Sequence, residues 1–137
     1  HGALTTLGKP VMIDHISVAV ANLEKSAAFY DPLLATLGMR RVADRPETIG
    51  YGKRYPEFWL NARPAMSAVD ADTGVHICLR ARTKEIVDAF HAAALAHGGA
   101  DDGTPGPRRG EMTEYYGAFV RDPDGNKIEV ATFPPKD

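Results

Sequence analysis

The chain has 137 residues, 44% of them hydrophobic, which suits one compact domain with a real core but leaves too little chain for two independent domains. Its 16 basic and 18 acidic residues give a formal net charge of −2 and are scattered along the chain, which argues against nucleic acid or an anionic membrane as a partner. Cys78 is the only cysteine, so no disulfide can form within the chain, and no apolar run approaches the ~20 residues that span a bilayer. We therefore expect a cytoplasmic protein.

The first eleven residues, "HGALTTLGKPV", show no clear periodicity, and Met12 would be a natural start. We expect residues 1–11 to be an expression remnant or a flexible arm. Residues 12–137 are then the predicted domain.

The segment "MIDHISVAVA" alternates with period two, which predicts a strand with Ile16, Val18 and Val20 on the core face and His15 on the opposite face. Apolar residues at helical spacing follow, and Pro32 within them predicts a kink or a break in that helix. Three short segments, "MRRVAD", "TIGYGKRY" and "EFWLNA", are typical of antiparallel strands. The unit is therefore β-α-β-β-β.

The pattern then starts again. "GVHICLRA" alternates in the same way and puts His76 opposite Ile77, and a helical stretch capped by Thr83 follows. We interpret "ADDGTPGPRRGEM" as a Gly/Pro-rich connection, and "DPDG" as the turn of a final hairpin. The chain is thus predicted to be α+β, with two tandem βαβββ modules, about 12–70 and 71–134, that form a curved mixed sheet around a concave pocket.

Three ligand-type side chains fall on one predicted face of this sheet: His15, His76 and Glu129. Taken singly, a strand histidine usually does no more than form a hydrogen bond, and a strand glutamate usually lies at an edge in water. A buried carboxylate needs water, a cation or a metal, and two imidazoles beside it favour the metal. Such a set suits non-haem iron or, with more ligands, zinc, nickel, cobalt or manganese.

These segments together resemble the vicinal oxygen chelate superfamily, which includes glyoxalase I, extradiol dioxygenases and bleomycin resistance proteins. The resemblance covers nearly everything from Met12 to Phe133, and its most specific part is "DPDGN" followed by "KIEV". It implies a divalent metal ion, Fe, Mn, Ni, Co or Zn, held by His15, His76 and Glu129. It also implies a homodimer whose cavity is built from one or both chains.

The segment "EFWLNA" leaves the fourth ligand open. Metal-binding glyoxalases take that ligand from this strand, and Glu57 and Trp59 share a face here. Glu57 at the metal would supply a carboxylate that moves a proton, as in lyases or isomerases, whereas Trp59 would leave open positions as in a ring-cleaving dioxygenase. Those dioxygenases usually have four modules in a chain, however, and this chain has two.

Three further side chains are candidates for the pocket. Cys78 shares the predicted face of His76, Arg80 could hold a substrate carboxylate, and Tyr116, chosen over Tyr115, could donate a proton.

Two functions remain open at this point. One is a metal-dependent enzyme, a lyase, isomerase or dioxygenase, that acts on a small molecule with two adjacent oxygens. The other is a metal-free small-molecule binding protein of the bleomycin-resistance type. The set of three ligand-type residues favours the enzyme.

Overall fold

The structure, a computed structural model, describes residues 12–135, so the predicted remnant or arm at 1–11 lies outside the described residues. Each half contains a strand, a helix and three strands, which confirms the predicted α+β fold of two βαβββ modules. Neither described helix is long and apolar enough to cross a membrane. The elements are β1 Ile16–Val20, α1 Leu23–Ala35, β2 Arg40–Asp44, β3 Thr48–Gly52, β4 Phe58–Ala62, β5 Ile77–Arg80, α2 Lys84–Ala96, β6 Ala100–Arg109, β7 Glu114–Arg121 and β8 Lys127–Thr132.

The two modules form two four-stranded sheets with equivalent orders, β1-β4-β3-β2 and β5-β8-β7-β6. In each sheet the first strand pairs in parallel with the last, and the other pairs are antiparallel. The strands β1 and β5 are therefore edge strands at corresponding positions. Each has backbone groups on one side that no strand of its own sheet satisfies.

The hydrophobic core is shared between the modules. Val18, Ile128 and Val130 are buried as the alternation predicts, and Ile16, Ile77 and Leu79 are partly buried and pack against the same cluster. The helices α1 and α2 also contact each other, which joins the two halves of the core.

Two segments differ from what the sequence predicts. The helix α1 does not break at Pro32, because the surrounding turns are held by fully buried side chains such as Tyr30 and Leu33. The Gly/Pro-rich connection contains a strand, β6, at the edge of the second sheet. An edge strand tolerates proline because it needs ladder hydrogen bonds on one side only.

The "DPDG" turn between β7 and β8 is present as predicted, and it also links the modules. The carboxylate of Asp122 accepts hydrogen bonds from the Tyr30 hydroxyl on α1 at 2.7 Å and from the backbone N–H groups of Asp124 and Asn126. The Asn126 amide in turn donates to the Ala19 carbonyl on β1 at 2.9 Å. Burial raises the pKa of Asp122, while the bonds from Asn126 and Tyr30 act in the opposite direction.

We predict that Asp122→Ala lowers the free energy of unfolding by about 2–4 kcal/mol, because it leaves the buried Tyr30 hydroxyl and two backbone donors without an acceptor. Urea unfolding followed by tryptophan fluorescence measures this loss. Asp72→Ala is the matched control, since Asp72 is exposed, and it should change the value by less than about 0.5 kcal/mol. Equal effects of the two substitutions would contradict the linking role of Asp122.

Candidate metal centre

The centre of the candidate site is the Glu129 carboxylate. Glu129 lies on β8 beside Cys78 of β5 and Phe119 of β7, and only 4% of its surface is exposed. Its Oε1 is 3.1 Å from Nε2 of His76, and its Oε2 accepts a hydrogen bond from the Tyr115 hydroxyl at 2.8 Å. The alternation of β5 and β8 thus brings together two of the three predicted ligands.

Among the described residues, Glu129 accepts hydrogen bonds but forms no ion pair with a lysine or arginine. Burial and the neighbouring Glu129 raise the pKa of Tyr115 to about 12 and that of Cys78 to about 12. Both side chains therefore keep their protons at neutral pH. Within residues 12–135 the one ion-pair partner of Glu129 is His76, which is charged only when protonated.

The third predicted ligand, His15, lies elsewhere. It lines a hollow of about 550 Å³ on the first sheet together with Ser17, Trp59 and Asn61. Its Nδ1 is 2.8 Å from a carboxylate oxygen of Asp14, a contact that leaves Nε2 available to a ligand. Among residues 12–135 no group of three His, Cys, Asp or Glu side chains is close enough to hold a metal. One chain therefore does not bring His15 to His76 and Glu129.

The structure places Glu57 and Trp59, the two candidates for the fourth ligand, in different hollows. Trp59 lines the hollow of His15, and the Arg45 guanidinium lies 5.6 Å from the centre of its ring. Glu57 lines a different hollow with Lys53 and Leu79, between the modules. Within one chain Trp59 therefore shares the hollow of His15, and Glu57 does not. Glu57 lies just before β4, so the alternation of side chains along that strand does not determine the face on which Glu57 lies.

The structure places Tyr116, the predicted catalytic tyrosine, away from Glu129. Its hydroxyl donates to Asp88 on α2 at 2.7 Å, on the helix side of the sheet. Neighbouring residues of a strand point to opposite faces, so Tyr115 is the tyrosine that reaches Glu129. The sequence contained the signal, because Tyr115 and Phe119 have the same parity on β7, and Phe119 pairs with Glu129.

Two further candidates remain near the site. Cys78 adjoins Glu129 through the β5–β8 register. The Arg80 guanidinium lies 4.6 Å from the centre of the Phe133 ring, and the same ring stacks on Tyr115 with 5.0 Å between centroids. Arg80 thus contacts an aromatic pair that ends at Glu129.

Comparison with protein families identifies this architecture. Residues 12–130 match the model of the Glyoxalase/Bleomycin resistance protein/Dioxygenase superfamily. The chain belongs to this superfamily. A curated superfamily relative is metallothiol transferase FosB of Shouchella clausii, which is 28% identical over 126 residues that cover 88% of this chain and 79% of FosB.

Solved structures of the superfamily superpose on most of the chain. A glyoxalase/bleomycin resistance protein from Albidiferax ferrireducens is 36% identical with a TM-score of 0.78, covering 90% of this chain and 100% of the other. Lactoylglutathione lyase from Agrobacterium tumefaciens is 22% identical with a TM-score of 0.59, covering 90% and 94%, and supports the fold alone.

We predict that Cys78 in chelator-treated protein reacts with iodoacetamide at pH 8 at least ~100-fold more slowly than free cysteine, although the residue is exposed. The thiolate is the reactive form, and a pKa raised to about 12 makes the rate climb with pH well past 9 instead of levelling off. Mass spectrometry of the single thiol measures the rate.

Glu129→Gln should lower the pKa of Cys78 and speed this reaction, because it removes the adjacent negative charge. Glu85→Gln on α2 is the control and should leave the rate unchanged. A rate equal to that of free cysteine in the unsubstituted protein would contradict the placement of Cys78 against Glu129.

Proposed function

We propose that the chain is a divalent-metal-dependent enzyme that acts on a small molecule with two adjacent oxygens. Its metal site would be completed in a homodimer, with His76 and Glu129 from one chain and His15 from the other. The observation that carries the proposal is the buried Glu129 carboxylate, which lies 3.1 Å from an imidazole nitrogen and forms no ion pair with a lysine or arginine among residues 12–135.

The donor set fits a divalent ion. A carboxylate that is 4% exposed needs its charge compensated, and a metal held jointly with His76 compensates it at every pH where the imidazole is neutral. Tyr115 fixes the carboxylate from the other oxygen, as the partners of metal ligands commonly do. The Asp14 carboxylate fixes the His15 ring in the same way, through its contact with Nδ1.

The edge strands support assembly from two chains. His15 directly precedes β1 and His76 directly precedes β5, and both strands have an unpaired edge. Two apolar side chains that precede these histidines in the sequence are strongly exposed, with 69% of Ile13 and 68% of Val75 accessible. Pairing of β1 with β5 of a second copy would cover this apolar surface and join the open face of His15 to that of Glu129.

The chemistry follows from the charges around the ion. A bound divalent ion would polarise two adjacent substrate oxygens and stabilise the negative charge that develops on them. Trp59 offers an aromatic wall to the substrate in the hollow of His15. Tyr115 retains its proton at neutral pH and can donate it to an oxygen beside Glu129. With Glu57 in a different hollow, the carboxylate best placed to accept a substrate proton is Glu129 itself.

We predict that His76→Ala reduces the affinity for Mn, Ni, Co or Zn by about 100-fold or more while leaving the fold intact, because it removes a metal ligand at an exposed position. Elemental analysis of protein purified without chelators, with competition by a chromophoric chelator, measures the effect. His97→Ala, at the exposed end of α2, is the control. Unchanged metal binding in His76→Ala would overturn the site, and an unsubstituted protein that binds no divalent ion would favour the metal-free binding protein.

A mixing experiment tests assembly across two chains. His15→Ala and His76→Ala homodimers would both lack a complete site. When equal amounts are unfolded and refolded together, about half of the dimers contain one chain of each kind, and each of these has one intact site. We predict recovery of about a quarter of the full metal content. No recovery from dimers shown to have exchanged chains would place all three ligands in one chain and contradict the shared site.

A further inference from the structure

A groove of about 830 Å³ lies between the modules, on the far side of Phe133 from the metal ligands. Three cationic side chains line it, Lys53, Arg80 and Arg82, and no acidic side chain among residues 12–135 does. Its remaining wall is largely apolar, with Leu37 and Phe133 among the lining residues. The volume lies in the range of small-molecule sites, which are usually apolar with a few placed polar groups.

The three cations have no anionic partner in the part of the chain that the structure describes. Within residues 12–135, Lys53, Arg80 and Arg82 form no ion pair, and their side chains donate no hydrogen bond; by contrast, Arg41 and Arg121 both bind carboxylates. Glu57 lines an adjoining hollow together with Lys53 and Arg80, but it forms no ion pair with either. The chain as a whole has a net charge of −2, so this excess of three positive charges is local to the groove.

The groove and the proposed ligand His76 lie along the same face of β5. Arg80 follows His76 by four residues on the same strand face, which separates their Cα atoms by roughly 13 Å. Phe133 connects the two places, because it contacts the Arg80 guanidinium on one side and the Tyr115 ring on the other. Tyr115 in turn donates to Glu129. A ligand in the groove would extend along β5 toward the carboxylate.

We propose that this groove binds an anionic group, a carboxylate, sulfonate or phosphate, at the end of the substrate or co-substrate remote from its reacting oxygens. Arg80 and Arg82 supply planar donors that match such oxygens, and Phe133 supplies a flat apolar surface for the segment beside them. The groove therefore selects an elongated acid with an apolar portion. That the bound molecule is the substrate rests on the proposed function, whereas binding of the anion does not.

The test compares two fluorescent probes in the presence of EDTA, so that loss of metal cannot affect the result. The first, 8-anilinonaphthalene-1-sulfonate, has an aromatic body and one anionic group, and the second, N-phenyl-1-naphthylamine, lacks the sulfonate. We expect the sulfonate to bind one site per chain with an affinity that falls as salt is added. In Arg80→Gln/Arg82→Gln it should bind about 10-fold more weakly or worse, with the neutral probe unaffected.

Arg63→Gln is the matched control, because it removes one positive charge outside the groove, where Arg63 donates to the Ala62 carbonyl, and it should leave both probes unchanged. Competition by pyrophosphate and by succinate then distinguishes a phosphate from a carboxylate as the favoured group. Unchanged sulfonate affinity in the double variant, an equal loss for both probes, or no binding by the unsubstituted protein would each overturn the proposal. If the proposed metal site does not exist, the binding of the two probes and the competition experiment are unaffected, because EDTA is present throughout.

Discussion

The Glu129 carboxylate is the feature on which the account of this protein depends. It is almost fully buried on the open face of the second sheet, and it receives hydrogen bonds from neutral donors, but its one described ion-pair partner is a histidine. A protein tolerates such a group when a cation completes its surroundings. The positions of His76 and Tyr115 around it follow from strand alternation, so the same pattern that builds the core also brings together two of the three proposed metal ligands.

The duplicated architecture explains why the three proposed ligands are divided, with His76 and Glu129 in one module and His15 in the other. In each module the first strand, β1 or β5, lies at one edge of the four-stranded sheet. A ligand-type histidine directly precedes each of these two strands. The hydrogen bonds of Asp122 and the shared core fix how the two modules pack through their helix sides. In the proposed homodimer the open faces of the two sheets would meet, and a metal site shared between chains would make metal binding depend on assembly.

The sequence predicted what local periodicity controls. Alternation placed Val18, Ile128 and Val130 in the core and Glu129 on the opposite face, and the repeat of that pattern predicted two modules. It failed where structure depends on distant partners. The prolines of β6 argued against a strand, yet a strand is possible there because β6 lies at the edge of its sheet. The choice of Tyr116 did not take the pairing of β7 with β8 into account. The orientation of one module against the other, which separates His15 from His76, is set by packing that no local pattern records.

The most direct test is anomalous scattering from crystals of the full chain grown with Mn or Co. The account predicts one anomalous peak per chain, bounded by His76 and Glu129 of one chain and by His15 of another. A peak at any other group of side chains, a peak whose protein ligands all come from one chain, or no peak under conditions in which the metal binds in solution would contradict the account.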